Sequence, residues 1–358
     1  MDRKFRYILC LLTALACAVS LTIPAFCDEI ETSAKSAIVY CPDNGEILYA
    51  KDAYTRRQMA STTKIMTTVL TIESGDPDRY FTVDREAIMV EGSSMGLLPG
   101  DIITKRMLCY GMMLPSGNDA ANAAAVAVGG SVEGFVQMMN EKAKALGLDD
   151  TNFVTPSGLD DYTDEHYSTA YDMARLTAYA LENDVFRDVC ATPNIRLELG
   201  NDERALWLYN TNRLLSTLSG CIGVKTGFTD KAGRCLITAC ERNGVTLICV
   251  TLGDPNDWQD HVNLYNECFS QVCGYDIGGF SVNIPAVGGN EDIVTLKCEK
   301  TAVILNKGEN TALEKTIIVP RFIYAPVSNG TTVGKVIYKL NGEIITTLDL
   351  ILSEDLTN

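Results

Sequence analysis

The chain has 358 residues, of which 46% are hydrophobic, 21% charged and 8% aromatic. This balance supplies enough apolar surface for one or two packed cores and excludes a disordered, collagen-like or polytopic membrane protein. The 46 acidic residues outnumber the 30 basic ones and give a formal net charge of -16. This charge disfavours nucleic acids and anionic membrane surfaces as partners. With only two histidines, His166 and His261, the chain can build few metal sites or histidine-based catalytic centres.

The N-terminus has the pattern of an export signal. Basic residues precede an uncharged apolar run from Tyr7 to Val19, and Ala25-Phe26-Cys27 places small residues where a signal peptidase reads them. We therefore predict a signal peptide over residues 1–27 and a protein exported to the extracellular face of the cytoplasmic membrane, to the cell wall or to the medium. The uncharged stretch 7–26 is also long enough to span a bilayer if it is not cleaved, which would give a peripheral membrane association.

The cysteines that follow this segment are predicted to be buried free thiols. Ten of the 13 cysteines lie beyond residue 27, and an even number would permit disulfides. Several replace aliphatic residues within apolar runs, such as Cys249 in Leu247–Val250. The chain has no C-x-x-C pair, and Cys268 and Cys273 have no histidine partners at zinc spacing, so we expect no metal site.

From Asp28 to about Cys273, helical and strand-like patterns alternate. The turn signals Asn44-Gly45 and Asn243-Gly244 favour two-residue hairpins. The predicted strands around them are Ala37–Cys41, Ile47–Ala50, Arg234–Glu241 and Val245–Leu252. The predicted helices are Ser61–Glu73, Thr104–Leu114, Asp119–Val128, Ser131–Leu146, Ser168–Glu182 with Ser168 as N-cap, and Asp257–Cys273. This order predicts an α/β (α+β) domain over residues 28–274, with helices on both faces of an antiparallel sheet and a helical lobe in the middle of the sequence.

A second domain, residues 275–358, is predicted to be small and all-β. Paired glycines at 278–279 and 288–289 break the chain, and turn signals recur at Asn329-Gly330 and Asn341-Gly342. The predicted strands are Ile293–Leu296, Thr316–Val319, Lys335–Leu340 and Ile344–Leu350. This domain could lift the first one toward a target or dock a partner.

The first of three short chemical motifs is Ser61-Thr62-Thr63-Lys64, which opens an apolar helix. Because residues three apart share a helix face, the Lys64 amine can reach the Ser61 hydroxyl. A serine hydroxyl needs a base at neutral pH, and a lysine serves as one when burial or a nearby cation lowers its pKa. Taken alone, the motif is equally the pattern of a helix N-cap at Ser61.

The other two motifs are Ser116-Gly117-Asn118 and Lys225-Thr226-Gly227. The first follows Leu114-Pro115 and precedes a helix, so its loop can direct a hydroxyl and a carboxamide into a cleft. In the second, strand alternation places Lys225 and Gly227 on one face, and Gly227 lets a substrate backbone lie close to the strand. Each motif alone is also an ordinary turn or strand end.

Together and in this order, behind an export signal, the three motifs match the set found in penicillin-binding proteins and active-site serine β-lactamases. The flanking sequence agrees with this match: residues 91–125 read EGSSMGLLPGDIITKRMLCYGMMLPSGNDAANAAA, 158–174 read GLDDYTDEHYSTAYDMA, 210–215 read NTNRLL, and 223–233 read GVKTGFTDKAG. The chain thus resembles the low-molecular-mass penicillin-binding proteins of the serine D-Ala-D-Ala carboxypeptidase family. The resemblance covers about residues 33–273 and extends more loosely over 275–358.

This resemblance implies a penicillin-binding/serine β-lactamase-like transpeptidase fold followed by the small all-β domain, and an enzyme without a cofactor. Ser61 would attack the carbonyl of the penultimate D-alanine in a peptidoglycan stem pentapeptide, forming an acyl-enzyme and releasing the terminal D-alanine. Lys64 would take the Ser61 proton, and Ser116 would relay a proton to the leaving amine. β-Lactam antibiotics would acylate Ser61 stably.

The resemblance also implies the residues that bind the substrate. Asn118 would bind the substrate amide and position the catalytic lysine, while Lys225 and Thr226 would hold the terminal carboxylate. The backbone N–H groups of Ser61 and Phe228 would form the oxyanion hole.

Several positions depart from the family pattern or are assigned other roles. Phe228 follows K-T-G where relatives often carry histidine, and Thr211 stands where some carry a carboxylate-binding arginine, which leaves open whether Arg213 substitutes for it. His166, beside a helix start, is predicted to have a surface or capping role. Met112-Met113 is predicted to lie in the core, and His261 to pack or lie at the surface.

Other activities of the same fold remain alternatives. A β-lactamase would need a water-activating glutamate in an E-x-x-L-N loop, but Glu203-Arg204-Ala205-Leu206 is followed by Trp207 and lies too near Lys225. A D,D-endopeptidase or transpeptidase would share the acyl-enzyme and differ in scissile bond or acceptor. An inactive wall-binding protein would not need all three motifs intact.

Overall fold

The computed structural model describes residues 31–200 and 204–358. The signal peptide predicted for residues 1–27 and the alternative water activator Glu203 lie outside this part of the chain. Within the described ranges, no helix combines the length and the hydropathy that crossing a membrane requires.

The strands of the first half of the fold build a five-stranded sheet and two two-stranded sheets, β3-β4 and β5-β6. In chain order they are β1 (Ser36–Cys41), β2 (Glu46–Lys51), β3 (Tyr80–Thr82), β4 (Ile102–Thr104), β5 (Asn194–Glu198), β6 (Ala205–Tyr209), β7 (Cys221–Thr229), β8 (Gly233–Arg242) and β9 (Val245–Leu252). The sheet has the order β2-β1-β9-β8-β7 and is antiparallel throughout. Because β7 lies at its edge, one side of β7 is open to other contacts.

Both predicted hairpins of this sheet are present, but only the second has the predicted two-residue turn, because Cys41 pairs with Glu46 and residues 42–45 form a longer loop between β1 and β2. At the β8–β9 turn, Asn243 and Gly244 both have positive φ, 52° and 75°, which is the backbone of the turn that matches strand twist. Pairing begins directly beside the turn, with Arg242 opposite Val245. Local turn chemistry therefore sets the register of β8 and β9.

Helices cover the sheet and form the lobe beside it. They are α1 (Lys64–Glu73), preceded by a 3-10 turn (Ala60–Thr63), then α2 (Lys105–Met113), α3 (Asn118–Gly129), α4 (Val132–Ala145), α5 (Ala170–Leu181), α6 (Asp184–Ala191), α7 (Leu214–Thr217) and α8 (Asp257–Gln271). Helices α5 and α8 pack on β1 and β9. Seven of the eight residues of β9 are buried, as expected for a strand covered on both faces.

Helix α3 is the centre of the helical lobe. Its sequence is rich in alanine, and the small side chains allow α1, α2 and α4 to pack closely around it. The predicted core position of Met112-Met113 is confirmed, since both side chains are fully buried on α2. This packing joins the first two chemical motifs, because α1 follows Ser61 and α3 begins at Asn118.

The N-cap of α5 lies one residue later than predicted. Ser168 was expected as N-cap, but the Thr169 side chain accepts the hydrogen bond from the Asp172 N–H, and the helix begins at Ala170. Ser168 instead pairs its backbone with Arg57, in an isolated bridge. Adjacent Ser and Thr both have N-cap chemistry, and the tertiary bridge to Arg57 decides between them.

The C-terminal part is all-β, as predicted. Its strands are β10 (Val272–Ile277), β11 (Phe280–Val287), β12 (Ile293–Cys298), β13 (Thr301–Asn306), β14 (Leu313–Ile318), β15 (Ile323–Tyr324), β16 (Thr332–Leu340) and β17 (Glu343–Leu352). Six of them form a sheet of order β14-β16-β17-β12-β11-β15 with its own apolar core, while β10 pairs with β13. The boundary between residues 274 and 275 remains a prediction.

Candidate active site

The 3-10 turn Ala60–Thr63 presents Ser61 at the start of α1. Ala60 has a φ of 47°, in the left-handed region that residues with a Cβ rarely adopt. The Thr62 hydroxyl donates to the Met59 carbonyl and the Thr63 hydroxyl donates to the Ala60 carbonyl. These side chains hold the strained turn, so Ser61 is presented by a turn rather than acting as a helix cap.

Lys64 lies one turn from Ser61 and is completely buried. Its Nζ is 2.9 Å from the Ser61 Oγ, 2.7 Å from the Asn118 Oδ1 and 2.7 Å from the Ser157 carbonyl oxygen. The amide and carbonyl oxygens can only accept hydrogen bonds, whereas the hydroxyl can also donate. When Lys64 is neutral, its two N–H groups are taken by these oxygens and its lone pair is left facing the Ser61 hydroxyl.

The surroundings of Lys64 favour this neutral form. Its pKa is lowered well below the usual lysine value, first by burial and second by the positive charge of Lys225, against a smaller opposing effect of Asp119. Lys225 is itself fully buried, and burial lowers its pKa to about 7. Two buried lysines therefore share the site.

The Ser116-Gly117-Asn118 motif joins α2 to α3, and the structure brings it next to Lys64. Ser116 is buried with a φ of 66° and lines the cleft, while Asn118 begins the helix. The Asn118 Nδ2 donates to the Glu91 carbonyl at 2.7 Å. Because its Oδ1 also accepts a hydrogen bond from Lys64, the orientation of the Asn118 carboxamide is fixed. One N–H of its amide group is left to donate to a ligand.

Asp119, which the sequence analysis did not single out, fastens a loop beside the cleft. Its carboxylate accepts hydrogen bonds from the Ser94 hydroxyl and from the backbone N–H groups of Met95, Gly96 and Leu97. The Ser93 carbonyl also accepts from the Asn118 N–H. An acidic residue beside the second motif and a preceding glycine-rich segment were the only signals for this anchor.

The edge strand β7 closes the other side of the cleft. A Cβ on Gly227 would lie 3.1 Å from the Ser61 backbone nitrogen, so the strand passes directly against the nucleophile. The Thr226 hydroxyl shares a 2.7 Å hydrogen bond with the Thr211 hydroxyl, which joins the 210–212 segment to the third motif. The Lys225 Nζ donates to the Thr226 carbonyl at 2.8 Å.

These elements border a cleft of about 560 Å³. The cleft is lined by residues from all three motifs, together with other residues that the sequence did not assign to a cleft. The lining residues are Ser61, Ser93, Pro115, Ser116, Asn210, Thr211, Arg213, Thr226, Gly227, Phe228, Arg234, Cys235, Asp257 and Trp258. Arg213 thus lies on the cleft wall near Thr211 and Thr226, whereas Arg234, Asp257 and Trp258 extend it past Phe228.

The prediction that His166 has a surface or capping role was wrong. The side chain is fully buried, with its Nε2 2.8 Å from the Thr63 Oγ1 and its Nδ1 accepting from the Val154 N–H at 2.9 Å. This pattern assigns the proton to Nε2, which donates to the Thr63 hydroxyl. Burial and the charge of Lys64 lower the His166 pKa to about 4, so the ring is neutral.

The loop that carries Ser157 packs behind the nucleophile. A Cβ on Gly158 would lie 2.0 Å from the Ala60 carbonyl oxygen, and Gly158 has a φ of 91°, so only glycine fits here. The Thr229 hydroxyl donates to Asp160 at 3.1 Å and ties the loop to the end of β7. Sequence reasoning missed Ser157 because its backbone carbonyl, not its side chain, contacts Lys64.

His261 lies away from this cleft. It is fully buried on α8, with hydrogen bonds to the Thr238 and Thr251 hydroxyls at 2.7 and 3.0 Å. The expected packing role is confirmed, and burial lowers its pKa to about 3.

Two family models match the chain in sequence. The D-alanyl-D-alanine carboxypeptidase model covers residues 23–256, and the model of the penicillin-binding protein 5 C-terminal domain covers residues 278–358. Both matches bear out the resemblance drawn from the motifs.

Named relatives and solved structures agree. The D-alanyl-D-alanine carboxypeptidase DacF of Bacillus subtilis (strain 168) is 33% identical over 92% of this chain and 87% of its own. The crystal structure of penicillin-binding protein 5 from Haemophilus influenzae has a TM-score of 0.67 at 25% identity, covering 93% of this chain and all of that one. The Streptomyces K15 DD-transpeptidase has a TM-score of 0.65 at 33% identity, over 68% of this chain and all of its own.

The fold is therefore that of the penicillin-binding DD-peptidases, as expected from the motifs. Members of this family act on peptidoglycan peptides and bind β-lactams. The chain belongs to the D-alanyl-D-alanine carboxypeptidase family and is a serine-type D-Ala-D-Ala carboxypeptidase.

Proposed function

We propose that Ser61 is the nucleophile that removes the terminal D-alanine from peptidoglycan stem pentapeptides, with Lys64 as its general base. The observation that carries this proposal is the hydrogen-bond geometry of Lys64, whose other two partners are oxygens that can only accept. A neutral Lys64 must direct its lone pair at the Ser61 hydroxyl, 2.9 Å away. Attack on the penultimate D-alanine carbonyl would pass the Ser61 proton to Lys64.

Charge stabilisation would come from the backbone. The N–H groups of Ser61 and Phe228 are the proposed oxyanion hole, and the close approach of β7 to Ser61 supports it. Only the backbone of Phe228 is needed for this role, because the oxyanion would be bound by its N–H group. The absence of a Cβ at Gly227 lets β7 pass this close to the turn that carries Ser61.

The terminal carboxylate would bind at the Lys225-Thr226 end of the cleft. Lys225 supplies a positive charge, and the Thr226 hydroxyl is held by Thr211. Arg213 on the same wall is proposed as the additional cation that replaces the arginine found at the position of Thr211 in some relatives. Ser116, on the facing loop, would carry a proton to the leaving D-alanine amine.

Asn118 would orient both the base and the substrate. Its Oδ1 fixes Lys64, and the N–H left over by Glu91 can bind the substrate amide. Water would then hydrolyse the Ser61 ester. A β-lactam ring opened by Ser61 would leave a stable acyl-enzyme instead, which makes these drugs covalent inhibitors.

The test is acylation by a labelled penicillin, read by mass spectrometry of the tryptic peptide that contains Ser61. We expect one adduct on Ser61 in the wild type, none in Ser61→Ala, and adduct formation slowed by at least about 1000-fold in Lys64→Met, which removes the base. An adduct on another residue, or an unchanged rate in Lys64→Met, would contradict the assigned roles.

A transpeptidase or endopeptidase activity at the same serine is the second candidate. The similarity to the Streptomyces K15 DD-transpeptidase supports it, because transfer to an amine acceptor uses the same acyl-enzyme. Adding glycine or a diamino-acid amine and measuring the ratio of transfer to hydrolysis detects transpeptidation, whereas cleavage of a cross-linked peptide dimer detects endopeptidase activity.

We further propose that the protein is exported through residues 1–27 and works outside the cytoplasmic membrane, where its stem-peptide substrates lie. The organisation into a catalytic domain at 28–274 and a β domain at 275–358 is part of this proposal. N-terminal sequencing of the secreted or membrane fraction tests the signal-peptide cleavage after Cys27.

A further inference from the structure

The thiols of Cys221 and Cys240 lie side by side at the beginning of β7, the strand that carries Lys225 and Thr226. The two residues are direct partners in the register of β7 and β8. The Glu241 N–H donates to the Gly220 carbonyl at 2.8 Å, while the Cys221 N–H donates to Leu218 and not to Cys240. This pattern makes Cys221 and Cys240 a non-hydrogen-bonded pair, the position at which cross-strand side chains approach most closely.

Such a pair has the geometry of a disulfide. Non-hydrogen-bonded partners have Cα atoms about 4.5 Å apart, within the range of about 4.4–6.8 Å that disulfides span. The side chains of such partners extend from the same face of the sheet. The two sulfur atoms can therefore bond without a change in the register of β7 and β8.

Eight of the ten cysteines in the described ranges are buried, whereas Cys221 and Cys273 are half-buried. We propose that Cys221 and Cys240 are a disulfide-forming site that reversibly staples the substrate-binding edge strand β7 to β8. This inference is independent of the assignment of the catalytic residues.

The reaction would be thiol–disulfide exchange with a low-molecular-mass disulfide. The Cys221 thiolate attacks one sulfur of that disulfide and releases one small thiolate, giving a mixed disulfide. Cys240 then loses its proton to the released thiolate and attacks the Cys221 sulfur, releasing the second small thiol. Two protein thiols are oxidised, and one small disulfide is reduced to two thiols.

The surroundings favour Cys221 as the attacking group. It is the half-buried member of the pair, so an oxidant can reach it, whereas Cys240 is fully buried. The hydrogen bond with the Cys240 thiol, and to a lesser extent the charge of Arg242, lower the Cys221 pKa below the usual cysteine value. Only the thiolate is nucleophilic, so exchange starts at Cys221.

A third thiol, Cys190 at the end of α6, is the matched control. It lies close to the same strand, with its Sγ 3.4 Å from the Ile222 carbonyl oxygen. It faces backbone carbonyls of Arg187 and Ile222 instead of another thiol and is fully buried. If closeness to β7 were enough for oxidation, Cys190 would also react. If the pairing of β7 with β8 decides, only Cys221 and Cys240 form a disulfide.

The experiment equilibrates the purified protein with oxidised glutathione, blocks remaining thiols by alkylation, and maps peptides without reduction. We expect one linked pair, Cys221–Cys240, in the wild type and in Cys190→Ser, and none in Cys221→Ser or Cys240→Ser. Alkylation of both Cys221 and Cys240 in the oxidised wild type, or a Cys190–Cys221 link, would overturn the proposal. The wild-type map decides the question even if a serine variant fails to fold.

Thermal unfolding gives a second readout of the staple. The bond would close a loop of about 20 residues and raise the midpoint of the wild type by roughly 5–10 °C relative to the reduced protein. Cys190→Ser should show the same shift, and Cys240→Ser should show none. Equal midpoints for the oxidised and reduced wild type would contradict a stapled β7.

Discussion

Asn118 holds the amine of Lys64 with its Oδ1 at 2.7 Å, and the Glu91 carbonyl holds the other end of the same carboxamide at 2.7 Å. The orientation of the carboxamide is set, because only the oxygen can face the lysine N–H while the nitrogen faces the carbonyl. The second motif thereby controls the protonation and direction of the proposed base in the first. A change of charge at Asn118, without a change of shape, is the sharpest probe of this coupling.

We expect Asn118→Asp to move the acid limb of the acylation rate to higher pH. A carboxylate in contact with Lys64 raises its pKa, so that a smaller fraction is neutral at pH 7. Penicillin acylation at pH 7 should fall by at least about tenfold and recover partly at higher pH.

Asn183→Asp is the matched control for this change. Asn183 caps α6 through its side-chain oxygen, and aspartate caps helices equally well. Asn183→Asp makes the same change of shape and charge as Asn118→Asp, but outside the cleft. The pH profile of its acylation rate should therefore match that of the wild type. An equal shift of the pH profile in both variants would show a general effect of the added charge and would contradict the coupling between Asn118 and Lys64.

The alkaline limb of kcat/KM for the peptide substrate should report Lys225. Burial lowers its pKa to about 7, so the cation that binds the carboxylate is lost as the pH rises through this value in the free enzyme. In Lys225→His the cation is lost at lower pH, since histidine ordinarily titrates at about 6.5. The measured limb should move to lower pH with KM affected more than kcat, and an unmoved limb would remove Lys225 from carboxylate binding.

His166 should act as a positioning residue for Ser61. Its Nε2–H bonds the Thr63 hydroxyl, which in turn bonds the carbonyl of Ala60, directly before Ser61. We expect His166→Ala to lower the acylation rate by about 10- to 100-fold with little change in KM, because a displaced nucleophile loses rate rather than binding. His166→Gln retains a donor and should recover part of the rate.

His261→Gln is the control for His166. His261 is equally buried but bonds Thr238 and Thr251 on the sheet, away from Ser61. Its loss should reduce stability and leave the acylation rate of the folded protein unchanged. Equal loss of rate in both histidine variants would mean that His166 acts through stability alone.

The same buried histidines predict how stability depends on pH. Both folded-state pKa values are depressed, to about 4 for His166 and about 3 for His261, whereas histidine in the unfolded chain titrates at about 6.5. Their contribution is therefore fully present above pH 6.5 and is lost as the pH falls toward 4, because the unfolded chain binds the protons first. Each neutral histidine contributes of the order of 3–5 kcal/mol to this loss.

Chemical denaturation between pH 4 and 8 measures this effect. The stability difference between the wild type and His261→Gln should shrink as the pH falls below 6.5, since the variant has lost one of the two protonation penalties. Other buried groups titrate in both proteins and cancel in the difference. A difference independent of pH would show that His261 is not held neutral by the fold.

Much of the catalytic fold is predictable from local pattern. The Asn-Gly pairs predict both hairpins of the main sheet, although only Asn243 and Gly244 both adopt the positive φ of a two-residue turn. Amphipathic spacing predicts α1 to α5 and α8. The strand pairs β3–β4 and β5–β6 were missed, since their strands have only three and five residues each. The proline at position 285 hides β11, and β10 pairs with β13, which no local signal indicates.

Part of the candidate site was likewise predictable from local sequence, and part depends on contacts between residues that are distant in the chain. The residues of the first two motifs were predictable, because the spacing within each motif follows from the chemistry of its side chains. The structure brings together Ser61, Lys64, Ser116 and Asn118. His166 was misread because its burial depends on Thr63 and Val154, which are distant in sequence. Ser157 contacts Lys64 through its backbone carbonyl, so its side-chain identity carries no signal. Asp119 acts through its carboxylate, but the N–H groups it binds lie more than 20 residues earlier in the chain, and no local pattern links the two.

The most direct test is D-alanine release from a diacyl-L-Lys-D-Ala-D-Ala peptide by the purified protein, with Ser61→Ala alongside. The account predicts release by the wild type and none above background by Ser61→Ala, with both proteins folded by circular dichroism. Release by Ser61→Ala at the wild-type rate, or no release by a folded wild type, would contradict the carboxypeptidase mechanism at Ser61.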